Sequence, residues 1–319
     1  MLRATFELRP PGSVSVLAPL GGRVVADDGS TVVLELPDDT WGDDVNLLLS
    51  SVVAGEFMEV RALTRCRLVD LSLPDGLLPG PAFGASPGVT VGLIVKPALG
   101  LAPAEVADVV ATGVAGGAGF VKDDETLGDP PWCPLRERVA AVAKVLEPGV
   151  VYCPNVTGPA STLLDRARAA VDLGATGLLV NPFAVGLDSL LSLRSLGVPV
   201  LAHRAGSGPW ARNPSFGPTG AVLARLLRLC GADYVVAGGF GGTLFDTDDE
   251  VRANLEAIRG PCGSAPPAVA ALGGGVGPDD VRRQVDAAGG DGLVVLLGSR
   301  AYSYAGGVEA AVRRAVASL

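Results

Sequence analysis

The stretch VGLIVKPALGLAPAEVADVVATGVAGGAGFVKDDE, Val91 to Glu125, holds one complete repeat of the pattern that sets the fold. Val91–Lys96 is a short apolar run, and Gly119–Lys122 is another. Between them, Pro103–Val114 carries apolar residues at helical spacing, with a proline at its first position. A strand, a helix and a second strand in this order form a parallel crossover unit.

The same unit recurs downstream. Strand-like runs follow at Val150–Cys153, Gly177–Val180, Val198–Ala202, Tyr234–Ala237, Ala268–Leu272 and Leu293–Leu297. The later helical patterns are Leu135–Leu146, Ser161–Leu173, Leu187–Leu196, Thr219–Leu229, Asp248–Ile258, Pro278–Ala287 and Gly307–Ser318. Apolar strands separated by helices of this size imply a parallel sheet covered on both faces. Eight units with no spare element favour a closed (β/α)8 barrel over a doubly wound open sheet. The first 85 residues read differently. Phe6–Leu8, Arg23–Ala26, Thr31–Leu36 and Glu59–Leu68 look like strands, Asp27-Asp28-Gly29 a hairpin loop, and Asp43–Val53 a helix. Gly80–Gly88 reads as a linker. The expected fold is α/β: a (β/α)8 barrel over residues 86–319 behind a small α+β domain over residues 1–85.

Composition bounds the partners. A net charge of −9 argues against nucleic acid, which calls for a basic surface. The uncharged stretch Gly76–Val95 is interrupted by Pro79, Pro81 and Pro87, which argues against a membrane span. The five cysteines are odd in number and lack Cys-x-x-Cys spacing, so they read as buried thiols of a reducing compartment. The amino terminus lacks the apolar core of a signal peptide. The expectation is a cytoplasmic protein.

Lysine is where the chemistry stands out. The chain has three lysines (Lys96, Lys122, Lys144) among 25 basic residues, and one histidine, His203. An amine can give up its proton or be modified, whereas a guanidinium cannot, so lysines kept against this background suggest a need for the amine itself. In such a barrel the active site forms at the C-terminal ends of the strands. Lys96 ends the first, Lys122-Asp123-Asp124-Glu125 the second and His203-Arg204 the fifth; glycines at 238–239, 273–275 and 298 end the last three. Asp124 and Glu125 offer hard oxygens suited to Mg²⁺. Lys122 is either their ion-pair partner or, carbamylated, a further oxygen ligand. Lys96, if desolvated, suits proton transfer. Gly274, Gly275, Gly298 and Ser299 leave backbone N–H groups free for a phosphate. Against these stand plain readings: a lone histidine is often structural, and glycine turns are common among 44 glycines. Asp246, Asp248, Asp249 and Glu250 read as solvated surface or helix capping.

The segments Gly92–Leu101 and Gly116–Glu125, followed in order by His203-Arg204-Ala205, Gly231-Ala232-Asp233, Gly273–Gly275 and Gly298-Ser299, closely resemble motifs of the RuBisCO large-subunit superfamily. Ser51–Phe57 resembles the end of that family's N-terminal domain. The resemblance implies that Lys122 is carbamylated and holds Mg²⁺ with Asp124 and Glu125. It further implies that Lys96 transfers protons, that His203 and Arg204 contact substrate and its phosphate, and that Gly274, Gly275, Gly298 and Ser299 bind phosphate. It also implies a homodimer with sites at the subunit interface.

The departures matter equally. Ala98 stands where the family has a second lysine, and Gly241-Gly242-Thr243 replaces the lysine-bearing loop of carboxylases. Val236 replaces a histidine, Gly55 aligns with an asparagine, and Thr40-Trp41 lies too close to Gly55 to match the family's Thr-Trp loop. Without the loop cation, CO2 fixation is not expected. The expectation is a non-carboxylating, RuBisCO-like enzyme that uses Mg²⁺ to abstract a proton beside a carbonyl. Enolisation, isomerisation or decarboxylation of a phosphorylated sugar-derived ketone would follow, and the resemblance suggests a methylthio-sugar phosphate of sulfur salvage. The alternatives are a phosphate-binding or regulatory barrel without catalysis and a Schiff-base aldolase using Lys96.

Overall fold

The computed structural model describes residues 1–37, 41, 44–85 and 87–319. Two sheets organise these residues. The smaller contains β1 (Leu2–Arg9), β2 (Arg23–Asp27), β3 (Thr31–Leu36) and β4 (Arg65–Ser72), with β1 between β3 and β4. Strand β1 buries Leu2, Ala4, Phe6 and Leu8 on one face, the period-two pattern of a sheet with one covered side. The loop joining β2 to β3 turns where Asp28 Oδ1 accepts from Ser30 N and Thr31 N, at 2.9 and 2.7 Å.

Two expectations for this region need correction. The strand placed at Glu59–Leu68 begins only at Arg65; Glu56–Glu59 is a 3₁₀ turn whose Phe57 and Met58 are buried. The helix placed at Asp43–Val53 is an α-helical turn, Val45–Leu48, that widens into a π turn over Leu49–Val53. Its expected first residue, Asp43, lies outside the described residues, as do Thr40 and the linker's Ser86.

The larger sheet is parallel. It comprises β5 (Val89–Ile94), β6 (Phe120–Lys122), β7 (Val151–Cys153), β8 (Leu178–Val180), β9 (Val200–Ala202), β11 (Tyr234–Gly238), β12 (Val269–Leu272) and β13 (Leu293–Leu297). Their order, β7-β6-β5-β13-β12-β11-β9-β8, brings the two end strands together. An Asn155–Leu179 bridge and the Leu179 N to Pro154 O hydrogen bond (2.9 Å) close the barrel there. Helices follow the strands as expected, most with ends shifted by a few residues. The helix Asp248–Arg259 shows why its ends are fixed: Thr247 accepts from Glu250 N while Glu250 accepts from Thr247 N, and the first turn is acidic.

One three-residue strand was not legible. Strand β10 (Phe216–Pro218) leaves the connection after β9 and pairs in parallel with β4. Arg67 secures the junction, its guanidinium donating to Trp210 O, Ala211 O and Phe216 O at 2.7–2.9 Å. The small sheet is thus completed by a strand from the barrel half.

Alternation along the strands then decides which side chains reach the barrel axis. Phe120, Leu201, Val236, Ala271, Val294 and Leu296 form the barrel interior. Two residues on from these inward positions, the same parity yields Lys122, His203, Gly238, Gly273 and Gly298. Ile94 packs on that interior and leads to Lys96 in the same way. Parity turns the sequence oddities to one end of one interior.

Candidate active site

A cavity of about 600 Å³ opens at that end, lined by Lys96, Lys122, Glu125, His203, Arg204 and the glycine turns after β12 and β13. A wider hollow of about 840 Å³ lies on the small domain around Ser15, Ser50, Glu56 and Val60. It carries no comparable group of amines, acids and imidazole, so the chemistry belongs to the barrel.

Lys122 is the most confined member, 1% exposed. Its Nζ donates to Asp123 O at 2.8 Å and lies 3.4 Å from Glu125 Oε2. Burial lowers its pKa against the opposing pull of Glu125 and Asp124. His203 Nε2 lies 3.5 Å from Glu125 Oε2, and its Nδ1 accepts from Ala205 N at 3.1 Å. Burial, with the nearby Lys122 charge, pulls the imidazole down to about 4, so it is neutral at physiological pH. Burial would raise the Glu125 carboxyl, but His203 and Lys122 outweigh it and hold it below its ordinary value.

Lys96 forms an ion pair with Asp124, whose other oxygen accepts from Thr126 Oγ1 at 2.6 Å and Thr126 N at 3.0 Å. For Asp124 too, these hydrogen bonds overcome burial and lower the pKa. Tyr302 fixes the Lys96 backbone by accepting from Lys96 N at 2.9 Å while donating to Ile94 O at 2.8 Å.

Sequence reasoning missed the supports beneath this cluster. Asp123, fully buried, accepts from Arg138 Nε at 2.9 Å, from Asn155 N at 3.0 Å and from Tyr152 Oη at 2.9 Å. Asn155 in turn donates to Glu125 O at 2.9 Å, holding the loop after β6 in shape. Asn155 follows β7 closely, so the strand-end rule that located Lys122 could have found it. Arg138, inside a helix, gave no such signal.

The glycine turns meet the cavity as expected. Gly274 and Gly275 have φ of 95° and 90°, a region costly for other residues. Their N–H groups, with those of Gly298 and Ser299, donate to no protein acceptor among the described residues. A Cβ on Gly274 would meet Leu244 at 2.6 Å, so the loop after β11 rests directly on this turn.

Two sequence readings change. Asp246 is not surface: its side chain is 2% exposed and binds the Arg204 guanidinium through both oxygens. Cys262 is half-buried, unlike the other four cysteines. Asp248, Asp249 and Glu250 do sit in the first turn of their helix, as expected.

The donor chemistry suits a hard divalent cation conditionally. Among the described residues no three His, Cys, Asp or Glu side chains converge as a metal site. Asp124 and Glu125 supply two carboxylates, and a third oxygen donor would have to come from a modified Lys122. The residues fit Mg²⁺ on that condition.

Residues 81–262 match the family model "Ribulose bisphosphate carboxylase large chain, catalytic domain". A 3-oxo-isoapionate-4-phosphate transcarboxylase/hydrolase of Xanthobacter autotrophicus is 31% identical over 78% of this chain and 65% of its own length. A 3-oxo-isoapionate-4-phosphate decarboxylase of Rhizobium rhizogenes is 30% identical over 88% of this chain and 73% of its own. The chain therefore spans less than two thirds of the Xanthobacter protein. A solved rubisco-like protein, MtnW, of Alicyclobacillus acidocaldarius superposes with a TM-score of 0.87 at 26% identity, covering 99% of this chain and 92% of that one. Solved proteins of this fold include a dimer and an octamer. With more than half its length matched by the family model, and with relatives of the RuBisCO-like kind, the chain belongs to the RuBisCO large-chain family.

Proposed function

We propose that the protein is a non-carboxylating enzyme that removes a proton from the carbon beside a carbonyl in a phosphorylated, sugar-derived ketone. The observation that carries this reading is the convergence of Lys96, Lys122, Glu125 and His203 on one cavity whose wall also offers unpaired glycine N–H groups. Burial of the Lys122 amine, which lowers its pKa, eases release of its proton for addition of CO2 to the neutral form. That addition forms an N–C bond, releases one further proton and leaves a carbamate oxygen beside Glu125 and Asp124. These three groups would hold Mg²⁺. Bound there, Mg²⁺ would polarise the substrate carbonyl and lower the cost of removing the adjacent proton. Lys96, steadied by Asp124, would move that proton. Neutral His203 offers Nε2 to substrate oxygens, because Nδ1 is occupied by Ala205 N. Gly274, Gly275, Gly298 and Ser299 would bind the phosphate; Arg204, which follows β9, lines the same cavity but is already paired with Asp246.

Relatives named for 3-oxo-isoapionate-4-phosphate support a sugar-derived monophosphate and, in one case, loss of a carboxyl group. The methylthio-sugar class implied by the sequence motifs is the other candidate. A homodimer is part of the proposal, supported by the assemblies of solved proteins sharing the fold.

Calorimetric titration of Mg²⁺ with bicarbonate tests the reading. The wild type should bind and Lys122→Ala should not; equal binding by both would refute the role given to Lys122. One observation favours a second reading. Both Asp124 oxygens are already engaged, by Lys96 and Thr126, as they would be in a phosphate-binding protein without metal. Phosphate binding with no effect of Mg²⁺ would support that reading instead.

A further inference from the structure

One wall of the cavity contains an arginine whose charge is already spent. Arg204, only 13% exposed, donates through Nη1 to Asp246 Oδ1 at 2.9 Å and through Nη2 to Asp246 Oδ2. The fork-to-fork geometry is that of an arginine recognising a bound carboxylate or phosphate, but here the anion comes from the chain itself. Phe245, next along the chain, lies 5.6 Å from the guanidinium carbon.

The surroundings are shaped to this pair. Asn254 is buried, donates to Ala237 O at 2.8 Å and lies 3.4 Å from Asp246 Oδ1. Gly238, at the end of β11 with φ of 104°, leaves the room the pair occupies. A Cβ there would come within 3.2 Å of both Arg204 Nη2 and Asp246 Oδ2. Beside the pair the wall carries Val236 and Phe245, and the nearby Ser207 hydroxyl already donates to Arg204 O at 2.8 Å.

We infer that Asp246 is a specificity-determining residue: a built-in counter-anion that makes the Arg204 end of the cavity reject a second charged group. The ligand would then be a monophosphate, with its phosphate at the glycine turns and an uncharged end against Phe245 and Val236. The phosphate's position rests on the function proposed above; the exclusion at Arg204 does not. A second phosphate at that end would meet a guanidinium whose charge the Asp246 carboxylate behind it already balances, so it would give up hydration without gaining a free cation. Replacing Asp246 by asparagine removes the negative charge while keeping the side chain's size and one acceptor oxygen.

The test compares 1,5-pentanediol monophosphate and bisphosphate as ligands, together with inorganic phosphate, by calorimetry. The wild type should prefer the monophosphate by about tenfold or more, and Asp246→Asn should reverse that preference by a similar factor. Asp246→Asn should also gain an inorganic phosphate site that the double variant Asp246→Asn/Arg204→Gln loses. A plain structural tie between β9 and the loop after β11 predicts lower stability of Asp246→Asn with an unchanged ligand ratio, and that result would overturn the inference. A wild type that prefers the bisphosphate would also overturn it, whether or not the variant folds. Should the wild type bind neither diol ester, the reading of the glycine turns fails. The gain or absence of the phosphate site in Asp246→Asn then still decides the role of Asp246.

Discussion

Lys96 and Asp124, 28 positions apart, form an ion pair across the ends of the neighbouring strands β5 and β6. The amine is thereby held at the cavity rim, 28% exposed, by a carboxylate that is itself 2% exposed. This separates two jobs of Lys96, as counter-charge for Asp124 and as carrier of a mobile proton. Lys96→Arg keeps the first and loses the second, because a guanidinium does not release its proton. Turnover of Lys96→Arg should fall by about 10²–10⁴. Its unfolding free energy should stay within about 1 kcal/mol of wild type, the scale of ordinary surface-linked pairs. Parallel kinetic and urea measurements check both halves.

The Asp123–Arg138 pair is different in kind, since both side chains are fully buried and neither touches the cavity. Removing one partner strands a charge in the interior. Arg138→Met should therefore lose about 3–5 kcal/mol of stability. Urea denaturation followed by circular dichroism measures it, and a loss below about 1 kcal/mol would show that the pair is dispensable.

The thiols give a prediction independent of function. Burial pushes Cys66 up to about 12 and raises Cys133, Cys153 and Cys230 as well, so all four stay protonated and shielded at pH 8. Cys262 is half-buried. Ellman's reagent should titrate one thiol in the native protein and five in denaturant. Rapid reaction of two or more native thiols at that pH would contradict the packing described.

These residues also show what the sequence could and could not reveal. The barrel was legible because each strand and helix leaves a local hydrophobic period, and strand parity carried Lys96, Lys122 and His203 to one rim. Partners distant in sequence left no such trace. Asp246 read as surface because its neighbours Asp248, Asp249 and Glu250 are helix-start acids, and only the folded chain brings Arg204 to it. Strand β10 escaped because Phe216-Gly217-Pro218 has neither the length nor the residues of an independent strand; β4 alone makes it one. The strand placed too early at Glu59 failed for a related reason. Val60 and Ala62 alternate with Glu59 and Arg61 as in a strand, but the backbone turns there, Leu63 N donating to Val60 O at 2.9 Å.

The most direct test of the central claim is hydrogen exchange in D2O, followed by NMR, on a panel of open-chain ketose monophosphates with Mg²⁺ and bicarbonate present. The account predicts deuterium uptake at the carbon beside the carbonyl with wild-type protein, and none above the protein-free rate with Lys122→Ala. Exchange by Lys122→Ala at the wild-type rate would contradict it.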